Sequence, residues 1–135
     1  MENTVLEKFH QGRQSLGTFS AIGSPLAVES LRYTGLDYVI VDTEHSPAGI
    51  ESAAAQIAAA QGAGLTALAR ANEISRTAVL RLLDVGAQGV VVPCVETVEE
   101  VRELVRYAKF APLGNRGFCP TRDGGWGFDA ESLQG

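Results

Sequence analysis

The stretch Gly35–Ile50, "GLDYVIVDTEHSPAGI", decides the fold. Its middle, "DYVIVD" (37–42), is a continuous apolar, β-branched run. That is the pattern of a strand covered on both faces rather than one that alternates. The run ends in Asp42, Glu44 and His45, and Pro47 stops any continuation. These ionisable groups at a strand exit are either a solvated polar turn or side chains aimed into a cleft. In strict period-2 geometry Asp42 and Glu44 share a face and His45 points the other way. Asp42 and His45 therefore face one cleft only if the strand ends near Asp42.

Similar strand–helix units flank this stretch. Upstream, "SLGTFSA" (15–21) is a short, partly alternating strand. "SPLAVESLRYTG" (24–35) has Ser24 and Pro25 at helix-entry positions and Gly35 at its end. Downstream, "GIESAAAQIAAAQGAG" (49–64) is an Ala-rich helix with Ile50, Ala54, Ile57 and Ala58 along one stripe. "LTALAR" (65–70) is a third strand, and "SRTAVLRLLDVGA" (75–87) is a helix with Ser75 as N-cap and Val79, Leu82 and Leu83 at helical spacing. "GVVVPCV" (89–95) is a fourth strand. "TVEEVRELVRYAKF" (97–110) is an amphipathic helix capped by Thr97, with Glu100 three residues on.

Four strand–helix units in strict alternation predict an α/β fold with parallel strands joined by right-handed crossovers. No G-x-G-x-x-G follows the first strand and no G-x-x-x-x-G-K occurs anywhere, which argues against a doubly wound nucleotide binder. Polar residues gather at strand ends: Asp42, Glu44 and His45 after the second, Arg70 after the third, Glu96 after the fourth. That suits the C-terminal face of a (β/α)8 TIM barrel, where catalytic groups come from several strand ends. Such a barrel needs ~250 residues, and this chain has 135. Residues 1–135 are read as a single domain covering roughly the first four βα units.

Composition narrows the class. Hydrophobic residues make up 45% and charged residues 20%, the balance of a globular protein. The net charge is −5 with no run of Lys or Arg, so neither nucleic acid nor an anionic membrane has an electrostatic footprint. The polar start "MENTVLEKFHQGRQ" lacks a signal peptide's apolar segment, and no apolar run approaches the ~20 residues of a membrane span. Cys94 and Cys119, the only cysteines, sit in no metal-type spacing, so a reduced, cytoplasmic setting is expected.

Among the candidate residues, His45 carries an imidazole, a side chain suited to passing a proton to or from a hydroxyl. The guanidinium of Arg70 suits a carboxylate or a developing enolate, because its charge is permanent and its donors are forked. A surface or interdomain ion pair accounts for Arg70 equally well on its own; the neighbouring 42–45 cluster tips the balance towards a site. Asp84 lies near the end of a helix, and the topology puts it at the opposite end from the strand exits, as a polar helix-end residue. "PLGNRGFCPTRDGGWGF" (112–128), with Arg116, Arg122, Asp123 and Trp126, reads equally as a mobile lid or a frayed tail. No complete metal site is visible, because Asp42, Glu44 and His45 lack partner ligands.

Taken together, "GLDYVIVDTEHSP", "ALARANE", "LLDVGAQGVVVPCVETVEE" and "RYAKFAPLGNRGF" closely resemble the HpcH/HpaI aldolase family, from about Gly17 to Phe128. The resemblance implies a (β/α)8 barrel that reversibly cleaves 4-hydroxy-2-oxo acids to pyruvate and an aldehyde. It implies a divalent metal (Mg2+, Mn2+ or Co2+) in place of a lysine Schiff base, and a homo-oligomer, a hexamer in the family. By position, His45 matches the acid/base that moves the C4 hydroxyl proton, and Arg70 the residue that steadies the pyruvate enolate. Asp84 matches the carboxylate that raises the basicity of that histidine; given its place in the topology, this requires a neighbouring subunit or a different helix boundary. Asp42 matches an acidic residue beside the metal, acting through its water.

The family's metal ligands, a Glu of the fifth strand and an Asp in a "GPADLS"-type loop after the sixth, have no counterpart up to Gly135. No metal ligand is therefore assigned here, and the resemblance implies that this chain alone neither holds the metal properly nor turns over. The leading expectation is the N-terminal half of a metal-dependent 2-oxo-acid aldolase. Its rival is a non-catalytic half-barrel module that dimerises or pairs with a missing C-terminal half. A third reading, metal ligands recruited from Glu44 or Asp42 within this half, ranks last.

Overall fold

The computed structural model describes residues 2–128. In chain order the elements are α1 (Thr4–His10), β1 (Gly17–Ser20), α2 (Pro25–Ser30) and β2 (Tyr38–Asp42), then α3 (Ile50–Gly62), β3 (Thr66–Arg70), α4 (Arg76–Asp84), β4 (Gly89–Val91) and α5 (Val98–Ala108). The strands form one sheet in the order β1-β2-β3-β4, with every pair parallel. The expected α/β alternation is thus present.

Local chemistry explains the helix starts. Ser24, Ser75 and Thr97 each accept a backbone N–H of their first turn through the side chain, and Thr97 with Glu100 completes a capping box. The predicted helix over 24–35 breaks after Ser30 into a short 3-10 turn, Leu31–Tyr33, and Gly35 then turns the chain at φ +78°. The fourth strand stops at Val91 rather than running to residue 95. Pro93 offers no N–H to a ladder, and Cys94 turns the chain away with φ 57°.

Helices α2, α3 and α4 pack on the sheet face that carries Val39, Val41, Ala67 and Ala69, all fully buried. On α3 the buried stripe is Ala53, Gln56, Ile57 and Ala60. Ile57 is thus core as predicted, whereas Ala58 is exposed and the face is rotated from the one read in the sequence. An Ala-rich helix has little hydrophobic contrast around its circumference, so the packing surface rather than the pattern chooses its face. Gln56, completely buried, accepts a hydrogen bond from Ser20 Oγ at 2.7 Å, which ties α3 to the end of β1. The opposite sheet face carries Tyr38, Ile40, Asp42, Leu68 and Arg70. Its coverage is partial, with Leu68 half-buried and Phe19 of β1 exposed. The N-terminal ends of the strands are closed by α1, where Lys8 Nζ lies 2.6 Å from Asp37 and the Thr4 N–H donates to Thr66 Oγ1.

Candidate active site

The β2/β3 register pairs Asp42 with Arg70, so both side chains leave the same face at the C-terminal ends of adjacent strands. Strand β2 ends at Asp42, the condition under which Asp42 and His45 can share a cleft. A short turn follows, built by Asp42 itself. One carboxylate oxygen, Oδ1, accepts the backbone N–H of Glu44 at 2.9 Å and of His45 at 3.1 Å. Ser46 Oγ closes the turn onto Asp42 O at 2.5 Å, and Thr43 Oγ1 pins it to β3 through Arg70 O at 2.5 Å.

This turn gathers four groups. Glu44 Oε2 stands 2.5 Å from Arg70 Nη2, Asp42 Oδ2 stands 3.5 Å from Arg70 Nη1, and His45 Nε2 stands 3.6 Å from Glu44 Oε2. The Arg70 guanidinium also lies 5.8 Å from the centre of the Phe19 ring. Asp42 and Glu44 are largely buried, whereas the His45 side chain is 69% exposed and free to meet a ligand. Burial is the largest single influence on Asp42 and disfavours its charge. The His45 and Glu44 N–H groups and the Arg70 charge together outweigh it, and the carboxyl is held below its ordinary range. One guanidinium thus faces two carboxylates.

Asp84 lies elsewhere. It ends α4 at the N-terminal end of the sheet, where its Oδ1 takes Arg116 Nη2 at 2.7 Å. The same guanidinium contacts Asp123 and lies 4.8 Å from the centre of the Phe110 ring. Arg122 meanwhile reaches Gln61, passing so close to Gly86 (φ +100°) that a Cβ there would lie 2.5 Å from Arg122 Nη1. The Gly-rich segment is therefore a strap laced to the α4 terminus, and it lies at the end of the sheet away from the His45 cluster. Within this chain Asp84 does not meet His45.

Sequence reasoning singled out Asp42, His45 and Arg70, which the fold brings together. It underweighted Glu44, the nearer partner of Arg70, and it did not single out Phe19. The signal for Glu44 was present: residues 42 and 44 share parity, and the turn keeps both beside Arg70. Among the described residues no group of three or more His, Cys, Asp or Glu side chains is placed to hold a metal ion. Asp42 and Glu44 offer hard oxygen donors but face Arg70, so these residues do not by themselves make a metal site.

The fold and cluster define a class: a parallel α/β unit of the (β/α)8 barrel type whose ionisable groups converge at the C-terminal strand ends, where barrel enzymes keep their chemistry. The chain belongs to the HpcH/HpaI aldolase/citrate lyase family, whose model matches residues 15–132. It is 34% identical over 115 residues to a hydroxypyruvate/pyruvate aldolase of Roseovarius nubinhibens, covering 85% of this chain and 45% of that protein. It is 31% identical over 117 residues to a 4-hydroxy-2-oxo-heptane-1,7-dioate aldolase of Escherichia coli, covering 87% of this chain and 45% of the relative. Among solved structures, an HpcH/HpaI aldolase/citrate lyase family protein of Burkholderia cenocepacia superposes with a TM-score of 0.89 at 29% identity, over 98% of this chain and 55% of that one. The chain thus spans about half the length of the relatives it matches. No helix among the described residues is long and apolar enough to cross a membrane.

Proposed function

We propose that this chain supplies the proton-moving and enolate-binding side of a pyruvate aldolase that reversibly cleaves 4-hydroxy-2-oxo acids to pyruvate and an aldehyde. The observation that carries this reading is the contact of Arg70 with Asp42 and Glu44 beside an exposed His45, at adjacent strand ends of a chain in this family. In the cleavage direction His45 takes the proton of the C4 hydroxyl. The C4–O electrons form the aldehyde carbonyl, the C3–C4 bond breaks, and its electron pair passes into the enolate of pyruvate. Arg70 stabilises that oxyanion until C3 is protonated. Asp42 shapes the turn that presents His45. Asp84, bound to Arg116 at the far end of the sheet, supports a histidine only from a neighbouring subunit, which fits a homo-oligomer.

Divalent-metal dependence by Mg2+, Mn2+ or Co2+ is part of this reading. Because Asp42 and Glu44 do not make a metal site, every step assigned here is carried by the chain's own side chains. Residues 1–135 are taken as one structural unit of the enzyme. The test is a pyruvate-release assay on 4-hydroxy-2-oxo acids with and without Mn2+, run on a full-length family aldolase carrying residues 1–135 and comparing the wild type with His45→Ala. Release abolished by the substitution supports the reading; release that His45→Ala leaves unchanged overturns it.

A second reading, a half-barrel assembly module, has an observation in its favour. Val90, Val92, Val101, Leu104, Val105 and Ala108 line an open apolar groove between β4 and α5, and β4 has no strand beyond it among the described residues. Light scattering separates the states: a mass of 14.3 kDa is the monomer, and twice that is a paired unit.

A further inference from the structure

We propose that Glu44 is the positioning residue of this site, the side chain that fixes the Arg70 fork and links it to His45. This inference rests on the aldolase reading, in which Arg70 and His45 act on the substrate; Glu44 acts through them. Three distances carry it. Glu44 Oε2 is 2.5 Å from Arg70 Nη2 and 3.6 Å from His45 Nε2, whereas Asp42 Oδ2 is 3.5 Å from Arg70 Nη1. Of the two carboxylates, Glu44 is therefore the near partner of the guanidinium.

The roles of the two acids separate further in their other contacts. Asp42 commits Oδ1 to the backbone N–H groups of Glu44 and His45, so its main work is to build the turn. That turn in turn aims Glu44. The Glu44 Oε2 atom is shielded from solvent, and although it touches Arg70 it is not aligned for a hydrogen bond. An oxygen in that state is a counter-ion with lone-pair capacity to spare, and the His45 imidazole is the mobile group beside it. One side chain thus spans the cation and the acid/base.

The consequence for catalysis is geometric. An arginine free to rotate loses orientation each time a substrate arrives, and misplacement of about an ångström erodes rate steeply. A guanidinium clamped by a buried carboxylate keeps its remaining N–H groups pointed at one place. Phe19, 5.8 Å from the guanidinium carbon, lies against the same group.

The experiment is side-chain NMR of the labelled 135-residue chain, reading rotation and solvent exchange of the Arg70 Nη–H groups. Wild type, Glu44→Gln, Glu44→Asp and Asp42→Asn are compared, with the amides of Val39, Val41, Ala67 and Ala69 reporting that the sheet is intact. Glu44→Gln should speed Arg70 rotation about tenfold or more, the factor expected when a charge-assisted contact is lost. Glu44→Asp keeps the charge but withdraws the carboxylate, and it should loosen Arg70 as well; it also decides the matter if the Gln variant does not fold. Asp42→Asn retains an oxygen acceptor for the turn and should leave Arg70 slow. Fast rotation in Asp42→Asn with slow rotation in both Glu44 variants would overturn the proposal and make Asp42 the holder.

Pyruvate added with Mg2+ to a full-length family aldolase carrying residues 1–135, with and without Glu44→Gln, provides the separate arm. If it shifts the Arg70 signals of the wild type and the shift shrinks in Glu44→Gln, the positioning role reaches the ligand. If pyruvate shifts Arg70 equally in both proteins, the proposal fails while the aldolase reading stands. If pyruvate leaves Arg70 untouched in the wild type while Glu44→Gln still frees it, the aldolase reading is what fails.

Discussion

Replacing Asp42 with Ala tests the architecture of the site most directly. The carboxylate accepts two backbone N–H groups of the 43–46 turn and stands 3.5 Å from Arg70. A hydrogen bond to a charged group contributes about 1.5 kcal/mol or more, so removing two costs roughly 3 kcal/mol. Relief of a buried carboxylate's desolvation offsets part of this, leaving an expected loss of about 2–3 kcal/mol. For a chain of this size that lowers the thermal midpoint by roughly 10 °C. Asp42→Asn keeps an oxygen for both N–H groups and should cost only about 1 kcal/mol. Urea unfolding followed by circular dichroism gives both numbers. The reasoning is refuted if the Ala variant unfolds within about 0.5 kcal/mol of the wild type, the usual spread for a surface change.

The same residue predicts a pH dependence. The folded carboxyl is held below its ordinary value of 3.8, so its contribution is complete above that pH and is lost as pH falls through the lower folded value. The wild type should therefore lose stability steeply below about pH 4, and Asp42→Asn should show a shallower acid limb. An acid limb of equal slope in the two proteins would remove Asp42 as its source.

Three further outcomes are expected. Asp37 is also held low, first by the Lys8 ammonium and then by the Leu16 N–H; Asp37→Asn should flatten the acid limb as well, read by the same urea series at pH 3 to 5. Ile57→Ala empties a fully buried position in the cluster with Val39 and Val41 and should cost about 3 kcal/mol without moving the Arg70 signals. In a complete aldolase carrying this half, Arg70→Ala should slow deuterium exchange at the methyl group of pyruvate by about 10²–10³-fold, and Arg70→Lys should recover little because an ammonium lacks the fork; an unchanged rate takes Arg70 out of the chemistry.

The order of elements was legible because each carries a strong local signal. Ser24, Ser75 and Thr97 mark helix starts through chemistry that needs no tertiary context. The continuous apolar run before Asp42 marks a strand in the same way. The face of α3 was not legible, since a helix made largely of alanine gives nearly the same hydrophobicity in every direction. The pairing of Asp42 with Arg70 is a product of register, which depends on how β2 and β3 align, and strand ends alone do not encode it. The lacing of the Gly-rich segment was equally hidden. Arg116 finds Asp84 thirty-two positions away in sequence, and no periodicity connects them.

The charge balance of the cluster links the site to the reading given to it. Arg70 faces two carboxylates, so the face that would receive a substrate already carries surplus negative charge. A 2-oxo acid brings another. Two like unit charges about 4 Å apart repel by about 4 kcal/mol at the effective dielectric of a protein surface, which is enough to keep the acid away. Arg70 cannot cancel both its own partners and the newcomer, although its unused N–H groups can still orient the newcomer once bound. In the proposed aldolase, additional positive charge would relieve that repulsion, and a divalent cation would supply it. Under the proposed aldolase reading, the sign of the cluster favours a divalent cation beside the substrate, whichever residues hold it. It also predicts that neutralising Glu44 should lower the metal concentration at which pyruvate binds. An unchanged metal requirement in Glu44→Gln, measured by titrating Mg2+ at fixed pyruvate, would mean that the surplus charge is not what the ion offsets.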